Sequence, residues 1–336
     1  MDLPKLAIAA LGGTVSMQAS KPGEGVIPTV SGESLLASIP GLETLARVTV
    51  ETLGLLPSAS QDFEFLLSVL AWAKFQVEQG ASGVVITQGT DTLEEAAQFF
   101  DYLWPHDTPL VLTGAMRSAA QPGADGPANL LDACRVALAE NSRQRGVQVV
   151  MNGQIHLARS VRKTDSLALQ AFSSPNVGPV GLLLEDHVCY QRPPDPRPLL
   201  PLPQQTTHKV AMLEACLSAD TLLLENIVAL GYDGLVIAGF GAGHVSPDWA
   251  KEIEHIARKI PVIIATRTGS GSTARASYGF RGGEMDLIRK GVSMAGFVCP
   301  RKARILLWLL IGCQQQEQLE RYLSGDTAFN VPTTGF

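Results

Sequence analysis

Residues 83–100, GVVITQGTDTLEEAAQFF, carry the pattern on which the architecture turns. GVVIT at 83–87 is a short apolar, β-rich run; it ends in the polar turn Gly-Thr-Asp-Thr, and a helical pattern begins at about Leu93. The same unit recurs on either side. Leu6 to Leu11 is a second apolar run, a helix is expected from about Asp62 to Glu78, and PLVLTG at 109–114 leads through ADG into a helix from about Pro127 to Ala139. Strand followed by helix, repeated, implies an α/β fold: a doubly wound, mainly parallel sheet with helices on both faces. In such sheets ligands sit at the carboxyl ends of the strands, where the polar turns lie.

The rhythm breaks at QRPPDPRPLLPLP, residues 191–203, where six prolines exclude a regular helix or central strand. It resumes with KVAMLEA, DGLVIAGFG and PVIIATRTGSG and ends in the helical PRKARILLWLLIGC. The expected division is an N-terminal α/β domain over 1–190, a proline-rich linker over 191–207 and a smaller C-terminal α/β domain over 208–336.

With 336 residues, 46% hydrophobic and 17% charged, the chain can fill a large core. Its 26 Lys and Arg against 32 Asp and Glu give a net charge of −6, so it lacks the basic footprint of a nucleic-acid binder. The apolar run from Ile305 to Cys313 is about half of what a membrane helix needs, and the N-terminal apolar segment is short for a secretory signal. Five scattered cysteines without C-x-x-C spacing fit reduced thiols, and a cytoplasmic location is expected. Six histidines show no ligand grouping, so neither a metal nor a cofactor is expected.

Beyond GTDT, four stretches carry candidate chemistry: LGGTVS at 11–16, PSASQD at 57–62, TGAMRSAAQPGADGPANLLDA at 113–133 and ARSVRKTDS at 158–166. A threonine hydroxyl is a weak nucleophile and needs a base. A lysine can be that base when neutral, a second threonine can relay the proton, and an aspartate can orient the lysine. Bland readings exist for each: Thr92 or Asp91 followed by Glu94 and Glu95 is a helix-capping signature, and a lone lysine is most often a solvated one.

Taken together, GGTV with Thr14, SQD with Ser60, GTDT with Thr90 and Asp91, GAMR…ADGPANL, and RKTDS with Lys163 resemble the bacterial-type L-asparaginases, from about Leu6 to PRKARILL. The resemblance implies two α/β domains and hydrolysis of the side-chain amide of L-asparagine, with L-glutamine as a second substrate. It implies Thr14 as the nucleophile that forms an acyl-enzyme, and Thr90, Asp91 and Lys163 as the group that transfers protons and activates water. Backbone amides near Thr90 and the carbonyl of Ala115 would hold the amide. Ser60 would bind the α-carboxylate, and Gln61 and Asp91 the α-ammonium. Glu284, and His244 of GFGAGHV, would complete the site of a neighbouring subunit in a homotetramer built as a dimer of intimate dimers.

One position departs from the family. Where its members carry Gly-Tyr-Ile-Pro on the loop after the nucleophile, this chain has GVIP with Val26. Tyr278 is the candidate substitute. The segment from Val15 to Val30 has no strong secondary-structure pattern and reads as a lid. The alternatives are a catalytically weak asparagine-binding or regulatory protein of the same fold and an amidotransferase subunit with an asparaginase-like domain. A dinucleotide-binding oxidoreductase is disfavoured, because LGGTVS lacks G-x-G-x-x-G.

Overall fold

The computed structural model describes residues 2–13, 17–19, 26–28, 39 and 41–324. It divides into two units, Met1–Asp195 and Pro196–Phe336.

In unit 1 the strands are β1 (Lys5–Ala10), β2 (Met17–Ala19), β3 (Val26–Pro28), β4 (Arg47–Thr52), β5 (Gly83–Thr87), β6 (Leu110–Thr113), β7 (Val147–Met151), β8 (Gln154–Leu157), β9 (Arg162–Lys163), β10 (Phe172–Ser173), β11 (Gly181–Leu184) and β12 (His187–Tyr190). Besides the one-turn helix Leu42–Leu45, the described helices of more than two turns are α1 (Phe63–Glu78), α2 (Leu93–Leu103) and α3 (Gly126–Leu138). The large sheet runs β12-β11-β8-β7-β6-β5-β1-β4. From β4 to β7 all neighbours are parallel.

The central strands are buried on both faces, which is why their sequences read as unbroken apolar runs. Leu6, Ile8 and Ala10 share a core with Val85, Val111 and the buried stripe of α3, including Leu130, Ala133 and Ala137. Ala7, Ala9, Val84 and Ile86 alternate to the opposite face. There α1 packs on β1 and β5 and α2 on β6 and β7, the two helices meeting in a Phe63–Phe99 ring stack at 5.3 Å. Helix α1 starts where it does because Asp62 Oδ1 accepts the Phe65 amide at 2.8 Å, a cap contributing about 1 kcal/mol. Leu66, Val69, Leu70 and Ala73 then fall on one helical face.

Two features of unit 1 differ from the expectation. Beyond β7 the chain stops alternating strand with helix. Asn152-Gly153 and Glu185-Asp186, all at positive φ, close two tight hairpins, so the far end of the sheet is antiparallel. The segment read as patternless carries a short antiparallel ladder, with Met17 opposite Pro28, Gln18 opposite Ile27 and Ala19 opposite Val26. Strands of three residues are too short for alternation to register in sequence.

Unit 2 holds the parallel sheet β13 (Val210–Glu214), β14 (Gly234–Gly239), β15 (Val262–Thr266) and β16 (Ser293–Met294), in that order. Helix α4 (Pro247–Ala257) closes its core through Trp249, Ile253 and Ile256 against Leu235, Ile237 and Ile264. The short α5 (Glu284–Arg289) precedes β16, and α6 (Pro300–Gly312), nearly all buried, lies across β13, β14 and β15. Among the described residues no helix is long and apolar enough to cross a membrane.

The proline-rich stretch has no regular element, yet it is anchored at both ends. Arg145 Nη1 donates to the Arg192 carbonyl at 2.8 Å in unit 1. In unit 2, Leu200 is buried and the Gln204 amide donates to the Gly312 carbonyl at 2.8 Å.

Candidate active site

The strand order sets where the turns meet. From β1 the chain passes to the edge strand β4, then returns across β1 to β5 and continues to β6 and β7. The order therefore reverses between β1 and β5, and the carboxyl ends of those strands form the switch-point crevice of an open parallel sheet. The Gly-Gly turn after β1 and the GTDT turn after β5 both lie there. Leu11 N donates to Thr87 O at 3.0 Å, and Gln88 N to Thr113 O at 3.0 Å, binding successive turns to one another.

At Gly13 the approach is closer than any side chain permits. Its φ is +86°, and a Cβ there would lie 2.2 Å from the Gly89 nitrogen. Gly114 is similar: a Cβ would lie 2.6 Å from the Gln88 carbonyl oxygen. Thr14, the next residue after Gly13, lies outside the described residues, as do the side chain of Val26 and most of the expected lid.

The structure brings Thr90, Asp91 and Lys163 together. Lys163 Nζ is 2.9 Å from Thr90 Oγ1 and 2.9 Å from Asp91 Oδ1, although the lysine lies 73 and 72 residues away in sequence. Thr90 is buried, the Lys163 side chain is 16% exposed and that of Asp91 71%. The hydroxyl thus sees the lysine on one side while the aspartate meets solvent. A nitrogen and a hydroxyl at this separation can exchange a proton in either direction as the charge on the nitrogen changes.

The capping signature resolves differently from its bland reading. Thr92 is the N-cap of α2 but makes no side-chain cap. Its hydroxyl donates instead to the Ser58 carbonyl at 3.0 Å and accepts from Gln88 Nε2 at 3.1 Å, tying the turn after β4 to the turn after β5. Glu94 is buried and its Oε2 accepts the backbone N–H of Lys163. Sequence reasoning missed this role, because an acidic residue in a first helical turn is explained well enough by the helix dipole.

Ala115 is fully buried in the turn after β6, and the ADGPANL motif holds that turn. Asp125 accepts the amides of Met116 and Arg117, at 2.9 and 2.8 Å. Asn129 Nδ2 donates to the Gly114 carbonyl and to Asp125 Oδ2, both at 3.0 Å, while its Oδ1 accepts the Asn152 amide at 2.9 Å. Asn129→Leu keeps the branched shape but leaves the buried Gly114 carbonyl and the half-buried Asp125 carboxylate without this donor. It is expected to destabilise the protein by about 2–4 kcal/mol, read as a lower urea midpoint at unchanged m.

Ser60 is exposed on the one-turn helix Ser58–Ser60. Next to it, both amide atoms of Gln61 are buried without a hydrogen-bond partner among the described residues, as are Ser58 Oγ and Gln88 Oε1. Buried polar atoms are nearly always paired, so this concentration at the switch point marks a place built to receive polar groups. Among the described residues no group of three or more His, Cys, Asp or Glu is placed to hold a metal.

In unit 2 the structure joins Glu284, His244 and Tyr278. The loop after β14 is closed by reciprocal backbone bonds between Phe240 and His244, both 2.8 Å. His244 Nε2 faces Glu284 Oε2 at 3.3 Å. Its ring packs edge-on against Tyr278 at 4.7 Å and Phe280 at 5.1 Å. Glu284 has 0% exposure, and its Oε1 accepts the amides of Ser277 and Tyr278, each at 2.6 Å. Tyr278 is 46% exposed.

Burial alone would push the Glu284 carboxyl up. The hydrogen bonds from the Tyr278, Ser277 and Glu284 amides and from His244 outweigh it and hold the carboxyl below its ordinary 4.5. A carboxyl lower in the folded than in the unfolded chain stabilises the fold above its ordinary value, and that contribution is lost as pH falls towards the lower folded value. The urea midpoint is therefore expected to drop as pH falls below 4.5, and Glu284→Gln to lack this component.

Comparison with known proteins shows what the chain is similar to. Residues 5–196 match the family model "Asparaginase, N-terminal", and residues 209–323 match "Glutaminase/Asparaginase C-terminal domain". A "Probable L-asparaginase periplasmic" of Haemophilus influenzae is 34% identical over 318 residues, covering 92% of this chain and 89% of that one. A glutamyl-tRNA(Gln) amidotransferase component of Methanosarcina acetivorans is 28% identical over 323 residues, covering 92% of this chain and 74% of that one. Among solved structures, that of the "Probable Cytoplasmic L-asparaginase from Campylobacter jejuni" superposes with a TM-score of 0.85 at 28% identity, covering 95% of this chain and 99% of that one. Both family domains are matched in order along most of the chain, on the fold that such domains build, and the chain belongs to the asparaginase family of amidohydrolases.

Proposed function

We propose that the protein hydrolyses L-asparagine to L-aspartate and ammonia through an acyl-enzyme on Thr14. The observation that carries this reading is Lys163 Nζ, held 2.9 Å from both Thr90 Oγ1 and Asp91 Oδ1 at the switch point. Thr14 Oγ attacks the side-chain amide carbon, and its proton goes to the departing nitrogen, which leaves as ammonia. Backbone amides near Thr90 bear the charge that develops on the amide oxygen. A water then adds to the ester carbon and gives its proton to the Thr90–Lys163 pair. Collapse releases aspartate and returns a proton to Thr14 Oγ.

In the same reading, Ser60 takes the α-carboxylate, and the unsatisfied amide of Gln61 and the Asp91 carboxylate take the α-ammonium. The Ala115 carbonyl holds the side-chain amide. Glu284 and His244, with Tyr278 as the tyrosine substitute, are supplied by a neighbouring subunit of a homotetramer. L-Glutamine is a minor substrate. The buried, unpaired cysteines Cys134, Cys299 and Cys313 support the cytoplasm as the compartment.

Steady-state ammonia release on L-asparagine, L-glutamine and D-asparagine tests this, with Thr14→Val as control. Turnover on L-asparagine that vanishes in the control supports it; background-level release from the wild type overturns it. Val26, where the family carries a tyrosine, favours one second reading, a weakly catalytic asparagine binder. Calorimetric binding of L-asparagine without ammonia release would identify it.

A further inference from the structure

We infer that Glu94 is a positioning residue for Lys163, an assignment that rests on the reading of Lys163 as the proton-transfer lysine. Glu94 is 2% exposed on the first turn of α2. A glutamate there gains from the helix dipole while still solvated, so nothing in helix stability requires it to be buried. Burying a carboxylate is costly unless specific donors compensate, and one donor here is the Lys163 backbone N–H.

The lysine needs such a tether. Its strand, β9, has two residues and among the described residues pairs with the two-residue β10 through Lys163–Phe172 and Arg162–Ser173, with the Thr164 amide donating to the Ala171 carbonyl at 2.8 Å just beyond. A ladder this short is a weak hold on register. The stretch from Thr90 to Glu94 grips the lysine at both ends. Thr90 Oγ1 and Asp91 Oδ1 meet Nζ, and Glu94 Oε2 meets the main-chain nitrogen of the same residue. Because all three contacts come from one turn and the helix it starts, that element holds Lys163 at both ends and sets the Nζ–Oγ1 distance. Glu94 touches neither substrate nor reacting atom in this scheme; it acts through Lys163.

The test uses the full chain and ammonia release on L-asparagine. Glu94→Asp keeps the charge but withdraws the carboxylate by one methylene, and kcat is expected to fall about 10–100-fold with KM little changed, the signature of a displaced proton-transfer group. Glu94→Gln, which keeps an oxygen acceptor at full reach, is expected to restore most of that loss. In a Lys163→Met background, Glu94→Asp is expected to add no further loss to the residual turnover, because the two changes act on one step. A purely structural role would lower the melting temperature, leave kcat per folded molecule unchanged and add fully to Lys163→Met. Any of three results overturns the inference: wild-type kcat in Glu94→Asp, full additivity with Lys163→Met, or Glu94→Gln as impaired as Glu94→Asp. Wild-type turnover in Lys163→Met alone would remove the reading of the lysine itself, and the inference with it, and is separately recognisable.

Discussion

Lys163→Met is expected to lower kcat on L-asparagine by about 10²–10⁴-fold, the range that a positioned proton-transfer group contributes, while the protein stays folded. Methionine matches the lysine as far as Cε and packs along the same path but carries no nitrogen. Thr90 Oγ1 then loses the group 2.9 Å away through which its proton can move. Stability should change little, because Asp91 is largely exposed and an ion pair to an exposed carboxylate contributes at most about 1 kcal/mol. Thr90→Val should reproduce the loss from the other side of the contact, and the two losses should not add. If Lys163→Met keeps turnover within a few-fold of wild type, the lysine is a structural side chain and the Thr90–Lys163 proton path is wrong. Equal effects on kcat and on the urea midpoint would point the same way.

Gly13→Ala is expected to destabilise the fold more than any exchange of a polar side chain in the site. The backbone there has φ +86°, and the added Cβ would stand 2.2 Å from the Gly89 nitrogen and 2.3 Å from the Gly89 Cα. Neither neighbour is a flexible side chain that can swing away. Left-handed backbone costs an alanine about 1–2 kcal/mol by itself, and relieving the clash means prising the β1 turn from the β5 turn. A loss of about 4 kcal/mol or more is expected, at the extreme end for a single methyl group. Because Gly89 precedes Thr90, prising the turns apart also displaces Thr90, and a shift of about 1 Å in a reacting group can cost about 100-fold in rate. Urea unfolding and kcat measured on the refolded fraction check both halves. Wild-type values for Gly13→Ala would mean that the turns are not packed backbone to backbone.

In unit 1, β1, α1, β5, α2, β6 and α3 were legible because their signals are local, whereas the edge strand β4, with every other residue exposed, was not. Asp62 caps α1, the helices begin within a residue or so of the polar turns that announce them, and buried parallel strands advertise themselves as apolar runs. The antiparallel end of the sheet was not read, although Asn152-Gly153 is a hairpin signal in plain sight, because its strands of four or five residues lie outside the strand–helix units that were recognised. The ladder between Met17 and Pro28 is too short to leave a periodic trace.

The candidate site shows the same boundary. The resemblance carried by GGTV, SQD, GTDT and RKTDS singled out the hydroxyls, carboxylates and lysine as a set, and the fold brings three of them, Thr90, Asp91 and Lys163, together. Glu94 was legible only as a capping acid and Asn129 only as part of a motif, since their partners, Lys163 and Asn152, lie 69 and 23 residues away. What the sequence determined by itself is the order of strands, turns and helices and the chemistry placed in each turn, because backbone period, capping and turn propensity act over a few residues. The tertiary structure alone decided which turns face one another. Strand order put β1 beside β5, a glycine at each contact let the backbones touch, and buried side chains then paired across long stretches of chain, as only a folded core can arrange.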